Sequence, residues 1–315
     1  MLKNKKIEFV GSLKKCLIIS LALILVGIIV TAILGPVLDI TFSGGTRITY
    51  SYTGKVDTAK VAQLAADTIG KKVNVNTTSG VSDNSQKLVI SLAENKSLDT
   101  TLIDKLTAKF EKDSDYADNK IKQESVNSVN ASVGAVFFAK CLVAVLIAAV
   151  LVIIYVTIRF RKIGGLLAGS AAMVALIHDI IIAFLASCVF RLPIDSNFIA
   201  VVMILLGYSL NSTIVVFDRV RENRRIHGSK LTLSELVNLS NNQVISRNIM
   251  TNLSTLVAVI VIIIVCELNG ITALRSLSVP LAFGLLSGAY TSIFLSPSIW
   301  VRWKDKVNAR KKAKK

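Results

Sequence analysis

The chain has 315 residues, of which 52% are hydrophobic and only 18% are charged, and its formal net charge is +17. A domain of this length could not place so much apolar material in one core, so the composition excludes an ordinary water-soluble protein and predicts an integral membrane protein. The basic residues cluster beside apolar segments, which indicates membrane topology and contact with anionic lipid and argues against nucleic-acid binding.

Six apolar runs are long enough to cross a hydrocarbon core, which takes roughly 20 helical residues. These predicted transmembrane helices lie at 16–36, 135–158, 164–190, 197–217, 248–267 and 277–301. If the runs alternate in direction, the basic segments 1–15, 218–247 and 302–315 lie on one side, together with the RFRK that follows the second run. Because Lys and Arg are enriched in cytoplasmic loops, both termini are predicted to be cytoplasmic and the polar stretch 37–134 to be extracytoplasmic.

The first apolar run lies where a cleavable signal peptide would lie. Its apolar core of about twenty residues exceeds the roughly 7 to 15 of a signal peptide, and no small-x-small cleavage site follows it, so we predict a retained anchor. The four cysteines all lie in or beside apolar runs: Cys16, Cys141, Cys188 and Cys266. This placement predicts neither a disulfide framework nor a metal site.

The polar stretch 37–134 alternates between strand and helix patterns. In chain order these are a strand at 46–53, a helix at 56–70, strands at 72–77 and 86–92 joined by a turn-rich 78–85, a helix at about 98–113, and a fourth strand within 121–129. The βαββαβ order predicts a small ferredoxin-like α+β domain. The stretch has no His or Cys, and such a fold indicates no activity by itself.

The third run contains an acid deep in the predicted membrane. Asp179 lies about fifteen residues, or roughly 23 Å, along the helix. An ionised carboxylate there costs at least ~2.5 to 3.5 kcal/mol, so it must face protein or water, or be protonated. Two interpretations stay open: a proton or cation relay group, and a helix-packing carboxylate. His178 projects about 100° away around the helix and need not share that environment; we favour a structural role for it.

The fourth run ends in GYSLNSTIVVFDRVREN. Tyr208 and Ser212 are one turn apart, with Asn211 adjacent, and these polar side chains suit hydrogen bonds between helices. The following Asp218 and Arg219 are expected to cap the helix end and to pair with a cytoplasmic neighbour.

Arg247 opens the fifth run in SRNIMTNLSTL. It is either an arginine that extends to the cytoplasmic surface or a partner for an acid inside the bundle. Ser212 lies at a similar shallow depth, so the two side chains could face each other.

Two adjacent glycines, Gly44 and Gly45, stand in SGGT after the first run. A phosphate-binding loop is not indicated, because neither a Lys-Ser/Thr pair nor a helix start follows as in a P-loop. The pair fits a tight hinge between membrane helix and outer domain, where glycine allows positive φ or close backbone approach.

Several of these segments resemble the SecF family of the bacterial Sec protein-export system. The segments are DITFSGGT after the first run, LIHDIIIAF in the third, GYSLN followed by VVFDRVREN across the end of the fourth, and SRNIMTNLSTL in the fifth. The resemblance implies a resistance-nodulation-division membrane fold in which six helices pair with six of SecD. It implies the SecYEG channel, with YidC-type and YajC-type proteins, as partners, and an unfolded preprotein as substrate.

The resemblance also implies coupling to a proton or sodium gradient, and here the sequence departs from the family. SecF proteins usually carry an acid directly after GYSLN, with a partner arginine in the fifth span. Arg247 stands at the arginine position, but Ser212 replaces the acid, and a serine hydroxyl is not titratable. Coupling could be lost, could move to the acid of SecD, or could rest on Asp179; the second interpretation is favoured.

Three functional hypotheses follow, and none is an enzyme. The leading one is an ion-coupled auxiliary subunit of protein export. Its alternatives are a scaffold that stabilises SecD and the channel without ion coupling, and half of a small exporter of the same superfamily. We expect no cofactor, because no nucleophile-base pair and no nucleotide motif occurs.

Overall fold

A computed structural model describes residues 7–54, 56–71, 73–79, 86–93, 98–112, 119–228, 230–268 and 274–313. Within these residues, six helical stretches are long and apolar enough to cross a membrane, as predicted. They are α1 (Leu13–Leu34), α5 (Ala131–Arg159), α6 (Gly165–Val189), α7 (Ser196–His227), α8 (Leu233–Leu268) and a last stretch, Arg275–Lys312. The ends of the predicted basic termini, 1–6 and 314–315, lie outside the described residues.

The last membrane stretch is not one regular helix. It consists of α9 (Arg275–Tyr290), a π-helical turn (Thr291–Leu295) and α10 (Ser296–Lys312). A π-helical turn accommodates an additional residue and is common at functional sites. The sequence indicated only a continuous apolar run here, because hydropathy reports membrane thickness and not hydrogen-bond register.

The predicted loop 218–247 is mostly helical. Helix α7 continues to His227 and α8 begins at Leu233. A capping box starts α8: the Glu235 carboxylate accepts from the Thr232 backbone N–H at 2.8 Å, and the Thr232 hydroxyl accepts from the Glu235 N–H at 3.3 Å. Both helices therefore extend beyond the apolar residues, because polar residues with good helix propensity continue them outside the membrane.

Helix α6 lies at the centre of the bundle and packs against α1, α5, α7, α9 and α10. Small residues allow this close packing, and a Cβ at Gly165 would lie only 2.1 Å from the Thr157 carbonyl oxygen of α5. By contrast, large apolar side chains of α1, α5 and α8 remain exposed. These three helices therefore present faces suited to lipid or to another membrane helix.

A small α+β domain lies between α1 and α5. In chain order it contains a short α2 (Ile40–Ser43), β1 (Gly45–Tyr52), α3 (Thr58–Ile69), β2 (Asn74–Ser79), β3 (Gln86–Ala93), α4 (Thr100–Lys112) and β4 (Lys122–Val129). The strands form an antiparallel sheet in the order β2-β3-β1-β4. Most of the predicted turn 78–85 lies outside the described residues.

Helices α3 and α4 cover one face of this sheet and build its core. Alternate residues of β1 and β3, including Ile48 and Tyr50, pack against Val61 of α3 and Leu106 of α4. The Tyr50 and Phe110 rings meet edge to face with centroids 5.3 Å apart, an arrangement that aromatic pairs favour. The domain thus has a hydrophobic core separate from the membrane bundle.

Candidate functional site

Helices α6, α7 and α9 meet around Asp179, which is completely buried. Three hydroxyl groups donate to its carboxylate: Ser209 of α7 to Oδ2 at 2.6 Å, Ser287 of α9 to Oδ1 at 2.6 Å, and Thr291 to both oxygens at 3.0 Å. Hydrogen bonds to a charged acceptor are about twice as strong as neutral ones. Neutral donors from several helical elements therefore offset much of the cost of burying this carboxylate.

The π-helical turn places Thr291 against Asp179. Neighbouring helices hold the turn in place: Tyr290, directly before it, donates to the Cys16 carbonyl oxygen of α1 at 2.7 Å, and Asn241 of α8 donates to the Ile293 carbonyl oxygen in the middle of the turn at 2.8 Å. Bonds of this kind satisfy backbone groups that irregular helix geometry leaves free inside a membrane. The turn is therefore fixed by α1 and α8, while its first residue binds the carboxylate of α6.

His178 belongs to the same cluster, although its helical position did not require it. Its Nδ1 lies 3.0 Å from the Ser287 hydroxyl oxygen and 3.6 Å from Asp179 Oδ1. Its Nε2 is buried and has no hydrogen-bond partner within the described ranges. The two adjacent side chains converge because Ser287 of α9 lies between them and contacts both.

A second polar cluster, Ser212, Asn248 and Asn252, joins α7 to α8. Asn252 Nδ2 lies 3.4 Å from the Ser212 hydroxyl, and Asn248 Nδ2 lies 3.5 Å from the Ser212 carbonyl oxygen. These distances are at the long limit for hydrogen bonds. All three side chains are buried and neutral, so this cluster holds no titratable group.

Arg247 does not face Ser212, contrary to the expectation from depth. Its side chain is exposed on α8 and has no hydrogen-bond or ion-pair partner in the part of the chain that the structure describes. The next residue, Asn248, is rotated by about 100° and takes the position toward α7. The similar membrane depth of Arg247 and Ser212 therefore did not indicate that their side chains point toward each other.

Apart from Ser209, the polar residues of GYSLN are Tyr208 and Asn211, and neither forms a hydrogen bond with a charged group in the part of the chain that the structure describes. Asn211 is exposed. Tyr208 contacts α8, where its hydroxyl lies 2.9 Å from the Thr251 carbonyl oxygen and 2.8 Å from the Thr255 hydroxyl. Tyr208 therefore links two helices, and Asn211 makes no contact with either polar cluster.

Asp218 and Arg219 lie inside α7 and do not cap it, because the helix continues to His227. Asp218 pairs with Arg159 of α5 at 3.1 Å. Arg219 donates to Gln243 of α8 at 2.5 Å and pairs with Glu222. These contacts connect α7 with both neighbouring helices beyond the apolar segments.

The two glycines of SGGT lie where the α+β domain joins the bundle. Gly44 has φ +75° and Gly45 has φ +135°, a region that favours glycine. A Cβ on Gly44 would lie 2.4 Å from the Ala131 Cα at the start of α5. Both reasons expected for glycine, positive φ and close approach, apply at this junction.

A network at the same junction ties the domain to the bundle. Asp39 forms an ion pair with Arg47 of β1. The Asp39 backbone N–H donates to the Ile194 carbonyl oxygen at 3.2 Å, and the Ile194 N–H donates to the Val37 carbonyl oxygen at 2.8 Å. The link between α1 and α2 therefore pairs with the loop between α6 and α7.

Sequence reasoning missed Ser209, Ser287 and Thr291 as ligands of Asp179. The one available signal is the density of small hydroxyl residues in the last apolar run, which includes Ser278, Ser287, Thr291, Ser292, Ser296 and Ser298. Such residues are also common where helices merely pack closely. The pattern indicates that this run has a polar face toward other helices, but it does not indicate that Ser287 and Thr291 are the two residues that contact the carboxylate.

Comparison with known proteins identifies the family. Residues 109–306 match the family described as protein export membrane protein SecD/SecF, C-terminal. The chain belongs to this family. It is 33% identical to the protein translocase subunit SecF of Alicyclobacillus acidocaldarius, over 92% of this chain and 90% of that protein.

Members of the family also occur as longer chains. The protein translocase subunit SecDF of Bacillus subtilis is 32% identical over 96% of this chain and 39% of its own length. The crystal structure of SecDF, a translocon-associated membrane protein from Thermus thermophilus, matches with a TM-score of 0.77 and 26% identity, over 96% of this chain and 39% of that one. The chain thus spans about two fifths of the SecDF chains, and its apolar helices and relatives make it a protein of the cytoplasmic membrane.

Proposed function

We propose that this chain is a SecF-type subunit of the protein-export machinery, which acts with SecD and the SecYEG channel and uses an ion gradient to promote late translocation of unfolded preproteins. The observation that carries the proposal is the buried Asp179, which accepts hydrogen bonds from Ser209, Ser287 and Thr291. An ionisable group inside a membrane bundle is a functional candidate by default.

Protonation of Asp179 would change the contacts between its helices. The ionised carboxylate only accepts hydrogen bonds, whereas the protonated acid carries one donor. Ser209, Ser287 and Thr291 all donate in the ionised arrangement, so at least one of these hydroxyls would have to turn when the acid forms. Ion binding at Asp179 is thereby coupled to the packing of α6 against α7 and α9.

The proposed orientation places the α+β domain outside the cytoplasm and both termini inside. It is supported by the basic segments 1–15, 218–247 and 302–315. We also infer a ferredoxin-like fold for the domain, supported by its βαββαβ element order and by the sheet order β2-β3-β1-β4. In this position the domain would meet the preprotein as it leaves the channel.

Replacement of Asp179 by asparagine tests the coupling. In membrane vesicles, Asp179→Asn is expected to abolish the part of preprotein export that depends on the ion gradient, because an amide cannot take up a proton at neutral pH. Asp195→Asn is the matched control, since Asp195 accepts from backbone N–H groups at the start of α7 and an amide oxygen preserves this cap. Full gradient-driven export in Asp179→Asn would return Asp179 to a packing role.

The neutral cluster at Ser212 supports a proposal of its own, that position 212 no longer carries the ion in this chain. Ser212→Asp is expected to alter the pH and gradient dependence of late export, because it adds a carboxylate next to Asn248 and Asn252. Ser212→Asn controls for size without adding charge. An unchanged profile in Ser212→Asp would show that the position has no influence on coupling.

A scaffold without ion coupling is the second candidate. Two features favour it: Arg247 is exposed and has no partner among the residues that the structure describes, and Ser212 is neutral. In that case deletion of the chain would lower the amount of SecD in the membrane, while Asp179→Asn would leave gradient-driven export unchanged.

A further inference from the structure

The contacts of Ser287 define the direction of its hydrogen bonds. When Asp179 is ionised, the single hydroxyl proton of Ser287 is donated to Asp179 Oδ1 at 2.6 Å. The Ser287 oxygen can then only accept from His178 Nδ1 at 3.0 Å. His178 therefore carries its proton on Nδ1 when neutral, and its lone pair lies on Nε2.

That lone pair is in an unusual position. Nε2 is buried and has no partner among the described residues, and His178 as a whole is 9% exposed. A buried polar atom without a partner costs free energy and calls for a reason, such as a role in chemistry. The imidazole is also the side chain whose protonation changes most readily near neutral pH.

We propose that His178, Ser287 and Asp179 form a proton-transfer chain in which His178 Nε2 receives the proton and Asp179 stores it. The proposal rests on the proposed ion coupling at Asp179. A direct transfer is disfavoured, because His178 Nδ1 and Asp179 Oδ1 are 3.6 Å apart, beyond normal hydrogen-bond distance. The Ser287 hydroxyl closes this gap.

The transfer balances without any further reactant. A proton binds at Nε2 and forms the imidazolium, the Nδ1 proton passes to the Ser287 oxygen, and the original Ser287 proton passes to Asp179 Oδ1. The products are a neutral imidazole protonated on Nε2, an intact serine hydroxyl and a carboxylic acid. After Asp179 releases its proton, rotation of the Ser287 hydroxyl back toward Asp179 and a change of the His178 tautomer, from Nε2–H to Nδ1–H, restore the first state with no net gain or loss of a proton.

Few other titratable groups of the described residues face the proton-transfer chain of His178, Ser287 and Asp179. From α9, the Tyr290 ring centroid lies 6.3 Å from that of His178. From α1, Cys16 lies beside Tyr290, and its backbone oxygen accepts a hydrogen bond from the Tyr290 hydroxyl. Helix α7 contributes the neutral Ser209. No Lys, Arg or Glu of the described segments lies within ion-pair distance of His178 or Asp179, so no fixed charge competes for the proton.

Infrared spectroscopy of the full chain in lipid vesicles tests the proposal. The carboxylic-acid C=O band that disappears in Asp179→Asn reports protonation of Asp179, and its rate of appearance after a drop in pH reports the transfer. Ser287→Ala and His178→Gln should slow this rate on the order of 100-fold, the lower end of what a positioned proton-transfer group supplies. Ser287→Thr keeps a hydroxyl and should restore the rate.

Ser209→Ala is the matched control. It removes a hydrogen bond of the same length to the same carboxylate, so it should alter the equilibrium protonation of Asp179 but not slow the transfer as Ser287→Ala does. Three outcomes would overturn the proton-transfer chain. The rate of Asp179 protonation could stay unchanged in Ser287→Ala, it could fall equally in Ser209→Ala, or the carboxylic-acid band of Asp179 could fail to appear at low pH. If Asp179→Asn abolishes gradient-driven export while Ser287→Ala keeps the wild-type rate, the proposed function stands and only the transfer chain fails.

Discussion

Helix α7 carries two polar residues one turn apart, and they enter very different surroundings. Ser209 lies against α6 and α9, where its hydroxyl donates to the buried Asp179 carboxylate at 2.6 Å. Ser212 faces α8, where Asn252 approaches its hydroxyl at 3.4 Å and Asn252 Oδ1 has no partner in the described structure. One face of α7 therefore borders a buried acid, and the adjoining face borders a loose set of neutral groups.

The backbones of the facing helices differ in the same way. The π-helical turn after α9 brings Thr291 to Asp179. By contrast, α8 is a regular helix from Leu233 to Leu268, and the Asn252 side-chain amide donates to the Asn248 carbonyl oxygen of the same helix at 2.7 Å. An irregular backbone in a membrane needs compensating contacts and persists where they are provided. The contrast supports the proposal that proton uptake takes place at Asp179 of α6 and not at the α7–α8 contact.

Removal of the charge should have the largest effect on stability. Asp179→Ala leaves the hydroxyls of Ser209, Ser287 and Thr291 without their acceptor and should lower the free energy of unfolding by about 3 kcal/mol, because hydrogen bonds to charged groups are worth roughly 1.5 to 3 kcal/mol. Thermal unfolding in detergent measures it. Asp195→Ala, which removes a helix cap worth about 1 kcal/mol, is the control. A smaller loss of stability in Asp179→Ala than in Asp195→Ala would mean that the Asp179 contacts are no stronger than a helix cap, and the two faces of α7 would then not differ as described.

The sequence predicted the membrane architecture because the relevant signal is local. Six apolar runs of sufficient length appear as six helices, and alternation such as that in 46–53 marks β1. The ends of the membrane helices were less predictable: α7 extends to His227 and α8 starts at Leu233. Apolar length reports where a membrane would begin, whereas helix ends depend on caps and polar helix formers.

The site was only partly predictable, because membrane helices lack a one-sided apolar pattern. Asp179 stood out from depth alone. Its rotation could not be derived from α6, which is apolar on every side, and so neither could its partners Ser287 and Thr291. The same limit explains Arg247, for which depth left both an exposed position and one facing Ser212 open, and Asn248 takes the place beside Ser212. Only the packing of α6, α7, α8 and α9 shows which way each of these side chains points.

A smaller effect is expected where the contacts are loose. Asn252→Leu should change the free energy of unfolding by less than about 1 kcal/mol. The hydrogen bond of Asn252 to Ser212 is long, and its 2.7 Å bond goes to the Asn248 carbonyl oxygen, which the α8 backbone also uses as an acceptor. Because the buried Asn252 Oδ1 is unpartnered among the described residues, apolar replacement removes a desolvation cost as well. The control is Asn241→Leu, which leaves the Ile293 carbonyl oxygen of the π-helical turn without its donor. A larger loss for Asn252→Leu than for Asn241→Leu would show that the α7–α8 cluster is the tighter one.

The smallest effect is expected for Arg247. Because its side chain is exposed and unpaired within the described ranges, Arg247→Gln should change the free energy of unfolding by no more than about 0.5 kcal/mol. A double-mutant cycle sharpens the contrast between the two faces of α7. Coupling between Ser212→Ala and Arg247→Gln should stay within the roughly 0.5 kcal/mol of independent sites, while coupling between Ser209→Ala and Asp179→Asn should exceed it. Strong coupling of Ser212 with Arg247 would mean that the arginine turns inward in the membrane, and the α7–α8 contact would then have to be counted as a charged site.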